Sequence, residues 1–127
     1  MRNRLIIAAA VAGLLYILSA AASNGSAAPA AKKTVTVTVS VADDYFAPVA
    51  VRIKTGDRVR YLWSASNTDS HNVHLKKGPS GVNRRKFRSA AGQTGIDFAP
   101  RFRVAGKYHF VCTLHNEMQM DVVVRKY

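Results

Sequence analysis

The chain has 127 residues, room for one modest domain, and its 48% hydrophobic and 20% charged content is enough to build a core. Nineteen Lys and Arg against seven Asp and Glu leave a net charge of +12, and a single cysteine, Cys112, rules out an intrachain disulfide framework. No Gly-rich phosphate loop, G-x-S-x-G elbow or H-E-x-x-H pair occurs, which counts against nucleotide enzymes, serine hydrolases and zincins.

The N-terminus carries Arg2 and Arg4, then the uninterrupted apolar run Leu5–Leu18, then small residues around Ser19–Ser23 and Ser26–Ala31. A charged start, a short apolar middle and a small-residue end are the grammar of a secretory signal peptide, with cleavage expected after Ala22 or Ala30. Extended to Ala22, the run approaches the ~20 residues that span a bilayer, so an uncleaved anchor is the alternative. No cysteine lies near residue 20 to be acylated. Residues 1–30 are therefore expected to be a signal peptide or anchor, and residues 31–127 an exported domain, periplasmic, in the cell envelope or secreted. Export argues against nucleic acid as the partner of the basic charge. No basic amphipathic helix is visible, so membrane contact is expected only through an uncleaved signal or by surface charge.

Beyond residue 31 the pattern is one of strands. Thr34–Val41 alternates strictly, with Val35, Val37, Val39 and Val41 on one face. Val49, Val51 and Ile53 repeat the period, Lys54-Thr55-Gly56-Asp57 reads as a turn, and Val59, Tyr61 and Trp63 alternate beyond it, which predicts a hairpin. Asp43-Asp44 reads as a loop pair. His71–Leu75 reads as a short strand, and Lys76–Gln93, with three glycines and a proline, as a long loop. Ile96–Phe98 and Phe102–Val104 are candidate strand pieces. Tyr108–Cys112 and Asp121–Arg125 close the chain. Short strands separated by regular turn signals predict an all-β sandwich. The Cys, Trp, Cys spacing of immunoglobulin domains is absent.

The residues able to do chemistry are Cys112, His115, Met118 and Met120, with His71 forty-one positions before the cysteine. Each alone has a structural reading: a buried cysteine, a strand histidine, core methionines. Together, C-x-x-H-x-x-M directly before an alternating strand, with a histidine from a different strand, is the ligand list of a blue-copper site. Thiolate and thioether suit Cu(I), and imidazole serves both Cu(I) and Cu(II). Zinc is the chemical alternative, but zinc sites rarely recruit methionine and structural ones usually hold several cysteines.

These residues resemble a known family. Tyr108-His109-Phe110-Val111-Cys112-Thr113-Leu114-His115 with Met118 looks like the ligand loop of the cupredoxins, nearest the amicyanin and plastocyanin branch. Ser70-His71-Asn72-Val73-His74-Leu75 is similar to the strand bearing that branch's first histidine, and Phe46-x-Pro48 and Gly56-Asp57-x-Val59-x-Tyr61-x-Trp63 match its spacing. The resemblance spans about residues 34–127. It implies a Greek-key β-sandwich of eight or so strands, one type 1 copper ion, and His71, Cys112 and His115 as equatorial ligands. It also implies Asn72 as a residue tying the two ligand loops together. Met118 matches the short-loop spacing of the axial ligand, and Met120 a longer one. His74 occupies a non-ligand position of the motif, and His109 alternates away from Cys112. Leu114, Asn116 and Glu117 depart from the family's prolines and apolar residue on the exposed rim. The implied function is a one-electron carrier, not an enzyme, acting as a monomer with a protein redox partner. The six cations Lys76, Lys77, Arg84, Arg85, Lys86 and Arg88, with no acid among them, suggest that this partner is acidic. The alternative is a copper protein for delivery or storage. A metal-free adhesion-like sandwich is a third reading.

Overall fold

Alternation in the sequence becomes alternation in burial. In the computed structural model, which describes residues 24–127, β1 (Thr36–Ala42) buries Val39 and Val41 completely, while Val35 before it stays half exposed. β2 (Tyr45–Ala47) buries Phe46, β3 (Ala50–Lys54) Val51 and Ile53, and β4 (Arg58–Trp63) Val59, Tyr61 and Trp63. β5 (His74–Lys77) is short and β6 (Asp97–Phe98) shorter; β7 (Gly106–Cys112) and the long β8 (His115–Arg125) end the fold. These elements belong to the unit Lys32–Tyr127. Residues 24–31 are exposed and without regular structure, and most of the expected signal or anchor lies outside the described residues. Among the described residues no helix is long and apolar enough to cross a membrane.

The eight strands form two four-stranded sheets, in the orders β2-β1-β4-β6 and β3-β8-β7-β5. The expected all-β Greek-key sandwich is thus present. The expected hairpin is not. β3 pairs in parallel with β8, and β4 in parallel with β1, so the turn at Lys54–Asp57 passes from one sheet to the other. Both flanking strands have one apolar face, and they satisfy burial by facing each other across the core rather than by pairing edge to edge. Asp57 holds this turn: its carboxylate accepts from Val35 N and Lys54 N, both at 2.9 Å. Gly56 adopts φ 98°, a left-handed conformation that favours glycine.

The stretch expected to be one long loop after Leu75 contributes to the core. β5 continues to Lys77, and a 3-10 turn at Arg84–Phe87, capped by Asn83 Oδ1 accepting from Arg85 N at 3.1 Å, presents Phe87 inward. Its ring lies 5.0 Å from Phe102 and 5.4 Å from Tyr108, centroid to centroid. Phe102 itself is fully buried but lies in no strand, and of Ile96–Phe98 only Asp97–Phe98 pairs. Each such buried aromatic or branched side chain contributes about 1.5–3 kcal/mol of transfer free energy. Phe87 therefore anchors a loop whose other members, Arg84, Arg85 and Lys86, face solvent.

Candidate metal centre

The fold brings two distant parts of the chain together at one end of the sandwich. β7 delivers Cys112 on its buried face, after Tyr108 and Phe110, and a two-residue turn returns the chain into β8 at His115. His71 stands just before β5, where its N–H donates to Gly92 O (2.9 Å) and its carbonyl accepts from Gly92 N (3.1 Å) and Trp63 Nε1 (3.2 Å). Expectation placed the strand from His71. The observed strand begins at His74, and His71 is an isolated bridge to Gly92.

His71 and Cys112 are buried and His115 is half-buried. One donor atom from each lies within 4.8 Å of the other two. His71 Nδ1 and His115 Nδ1 are 3.2 Å apart, and Cys112 Sγ is 3.7 Å from His115 Nδ1. One soft sulfur and two imidazole nitrogens converging on one point fit a copper ion, for which this donor set is suited.

Asn72 bridges the two ligand-bearing segments. Its Oδ1 accepts from Thr113 N and its Nδ2 donates to Thr113 Oγ1, each at 2.8 Å, while its backbone N–H lies 3.4 Å from Cys112 Sγ. An N–H directed at a thiolate disperses its charge and fixes its direction. Both methionines are buried on the core face of β8. The register separates them: Met120 faces Phe110 and Gln119 faces Val111, so Met118 stands one inward-facing position closer to the Cys112 end. On a strand that step is about 7 Å.

Of the other histidines, His74 is in β5 opposite Val111. His109 lies on the outer face of β7, its Nδ1 2.8 Å from Asp121 Oδ1 and its Nε2 3.1 Å from Gln119 Oε1. That contact holds the Asp121 carboxyl below the usual carboxylate range, with Lys107 adding to the effect. The loop pair proves to have a contact with the site: Asp43 Oδ1 lies 2.8 Å from His71 Nε2. The His71 hydrogen bond, then the backbone N–H of Thr68, hold this carboxyl well below its ordinary range. No local signal marked Asp43 or Thr113, since their partners lie 28 and 41 residues away.

The surface around the centre is electrically divided. Asp43 and Asp44 lie on the β1–β2 turn, and Asp69 N donates to Asp43 Oδ1. On the other flank an open cleft is lined by His74, Lys76 and Arg88 together with Cys112, Thr113 and Asn116. Leu114, 53% exposed, supplies an apolar rim beside His115.

A two-sheet Greek-key sandwich with a His, Cys, His cluster at one end defines a class, the copper-binding β-sandwich proteins. The model of the cupredoxin-like domain family matches residues 6–124, and the chain belongs to that family. Amicyanin-alpha of Methylorubrum extorquens is 34% identical over 86 residues, covering 68% of this chain and 69% of the relative. The crystal structure of amicyanin from Paracoccus versutus superposes with a TM-score of 0.60 at 30% identity, covering 71% of this chain and 81% of that one. A copper-containing nitrite reductase from Thermus scotoductus shares the fold alone, at 19% identity and TM-score 0.63, with 76% of this chain covering 24% of that one. The chain is similar to the amicyanin branch, and its cofactor is copper.

Proposed function

We propose that the protein is an exported one-electron carrier in which His71 Nδ1, Cys112 Sγ and His115 Nδ1 would hold one type 1 copper ion, with Met118 adding a weaker thioether donor. The observation that carries this reading is the convergence of the three donor atoms within 4.8 Å at the end of a rigid sandwich. Copper bound there supplies reversible Cu(II)/Cu(I) exchange. The chain's own part is to keep the donors in one place in both states, so that little rearrangement accompanies transfer. Trp63, Gly92 and Asn72 do this by fixing the backbone of His71 and the Cys112 turn. Met118 is favoured over Met120 because its register position is nearer Cys112.

Electrons enter and leave at His115, the half-buried member of the cluster, beside exposed Leu114. The carrier performs no substrate chemistry. Its partner is a redox protein with an acidic surface, drawn to Lys76 and Arg88 beside the cleft and to the cations of the following loop. Residues 1–30 act as a signal or anchor that places domain 31–127 outside the cytoplasm, in the periplasm, the envelope or the medium, where it works as a monomer. The test is an absorption spectrum and voltammogram of the copper-loaded protein. An intense visible thiolate-to-Cu(II) band, a reversible one-electron wave and loss of both in Cys112→Ala are expected. Transfer of Cu(I) to an acceptor without such a band would instead identify a delivery protein.

A further inference from the structure

The β1–β2 turn carries a carboxylate to which the electron-carrier reading gives no task. His71 is fully buried and has two ring nitrogens to satisfy. Its Nδ1 is the atom that lies 3.2 Å from His115 Nδ1, on the cluster side. Its Nε2, on the other edge of the ring, lies 2.8 Å from Asp43 Oδ1. Asp43 is in turn held by three donors. Thr68 N and Thr68 Oγ1 reach Oδ2 at 2.8 and 2.9 Å, and Asp69 N reaches Oδ1 at 3.2 Å. Asp44, the next residue, takes φ 68°, a left-handed turn conformation that aspartate tolerates.

We propose that Asp43 is the positioning residue of the centre, holding the proton of His71 on Nε2, so that Nδ1 presents a lone pair to the metal, and lowering the reduction potential through its negative charge. The proposal rests on the reading that His71 binds copper through Nδ1. An ionised carboxylate only accepts, so Nε2 must donate and Nδ1 is left unprotonated. The ring then cannot rotate without breaking a charge-assisted bond. A carboxylate behind a ligand imidazole also makes the imidazole a stronger donor, and a nearby negative charge favours Cu(II) over Cu(I). The three donors at Thr68 and Asp69 hold the Asp43 carboxylate in place behind the ring.

Two variants separate the parts of this role. Asp43→Asn retains an oxygen acceptor for Nε2–H but drops the charge, and Asp43→Ala removes both. Nitrogen-edited NMR of the metal-free full chain reads the His71 tautomer without any metal. Wild type is expected to show a slowly exchanging His71 Nε2–H, retained in Asp43→Asn and lost or averaged in Asp43→Ala. Voltammetry of the copper-loaded proteins is expected to show a higher potential in Asp43→Asn. The expected rise corresponds to about a tenfold change in relative Cu(II) over Cu(I) preference, or ~59 mV for one electron. A His71 proton on Nδ1 in wild type would overturn the proposal. So would a folded, copper-loaded Asp43→Asn with the wild-type potential. If wild type bound no copper, the carrier reading would fail and the charge role with it, while the NMR result would still decide whether Asp43 sets the ring.

Discussion

Asn72 offers the sharpest test of how the two ligand segments are joined. Replacing it with alanine removes two hydrogen bonds of 2.8 Å and leaves the Thr113 N–H without its acceptor in a part-buried place. The lost bond to the Thr113 hydroxyl is worth about 1 kcal/mol and the orphaned Thr113 N–H costs about 1–3 kcal/mol, so the expected loss is about 2–4 kcal/mol. Thr113→Ala is the control. It removes only the hydroxyl and leaves Asn72 Oδ1 on Thr113 N, for a loss of about 1 kcal/mol. Denaturant unfolding of the metal-free protein, extrapolated linearly, measures both, and for a domain of this size the larger loss lowers Tm by at least ~8 °C. The copper-loaded Asn72→Ala protein should also show a shifted thiolate band, because the Asn72 N–H to Cys112 Sγ contact depends on this bridge. Equal losses in the two variants, or an Asn72→Ala protein within ~0.5 kcal/mol of wild type, would refute the reasoning.

Met118→Ala is expected to keep copper but raise the reduction potential and alter the spectrum, with Met120→Ala changing both much less; voltammetry and absorption compare them, and the reverse order would place the axial sulfur on Met120. Tyr61 is fully buried, its hydroxyl has no hydrogen-bond partner among the described residues, and burial pushes its ionisation far upward. Tyr61→Phe should therefore raise stability by about 1–2 kcal/mol in equilibrium unfolding. The carboxyls of Asp97 and Asp121 are lowered from 3.8 by hydrogen bonds from Arg60 and His109 respectively. Their contribution is complete above that value and is lost as pH falls through their lower folded values, because the unfolded chain takes up the protons first. Unfolding of the metal-free protein from pH 5 to pH 2 at low salt should steepen below pH 4, and Asp121→Asn should flatten that slope. Finally, Arg84→Glu with Arg85→Glu and Lys86→Glu should slow electron exchange with small anionic complexes and abolish its decline with salt; an unchanged rate would make the loop a solvated surface only.

Much of the site is local in sequence. Cys112, His115 and Met118 lie on one turn and the start of one strand, so spacing alone presents them as a unit, and their softness names the metal. The period of two in Thr34–Val41, Val49–Ile53 and Val59–Trp63 likewise determines strands and their buried faces, because successive side chains point to opposite sides. Partners are another matter. An apolar face demands burial but does not say against what, so Val51 and Val59 read as one hairpin while their strands pair with β8 and β1 in opposite sheets. The same limit hides Phe87, a lone apolar residue among four cations, whose burial depends on Phe102 and Tyr108 arriving from elsewhere. It also hides Asp43. A carboxylate in a polar turn carries no period and no spacing, and it meets His71 only because β1 and β4 run parallel and bring the β1–β2 turn beside the loop that leaves Trp63. Composition and spacing thus selected the donor atoms, whereas their orientation, their fixed charge and the acid–base division of the surrounding surface exist only once distant segments are packed together.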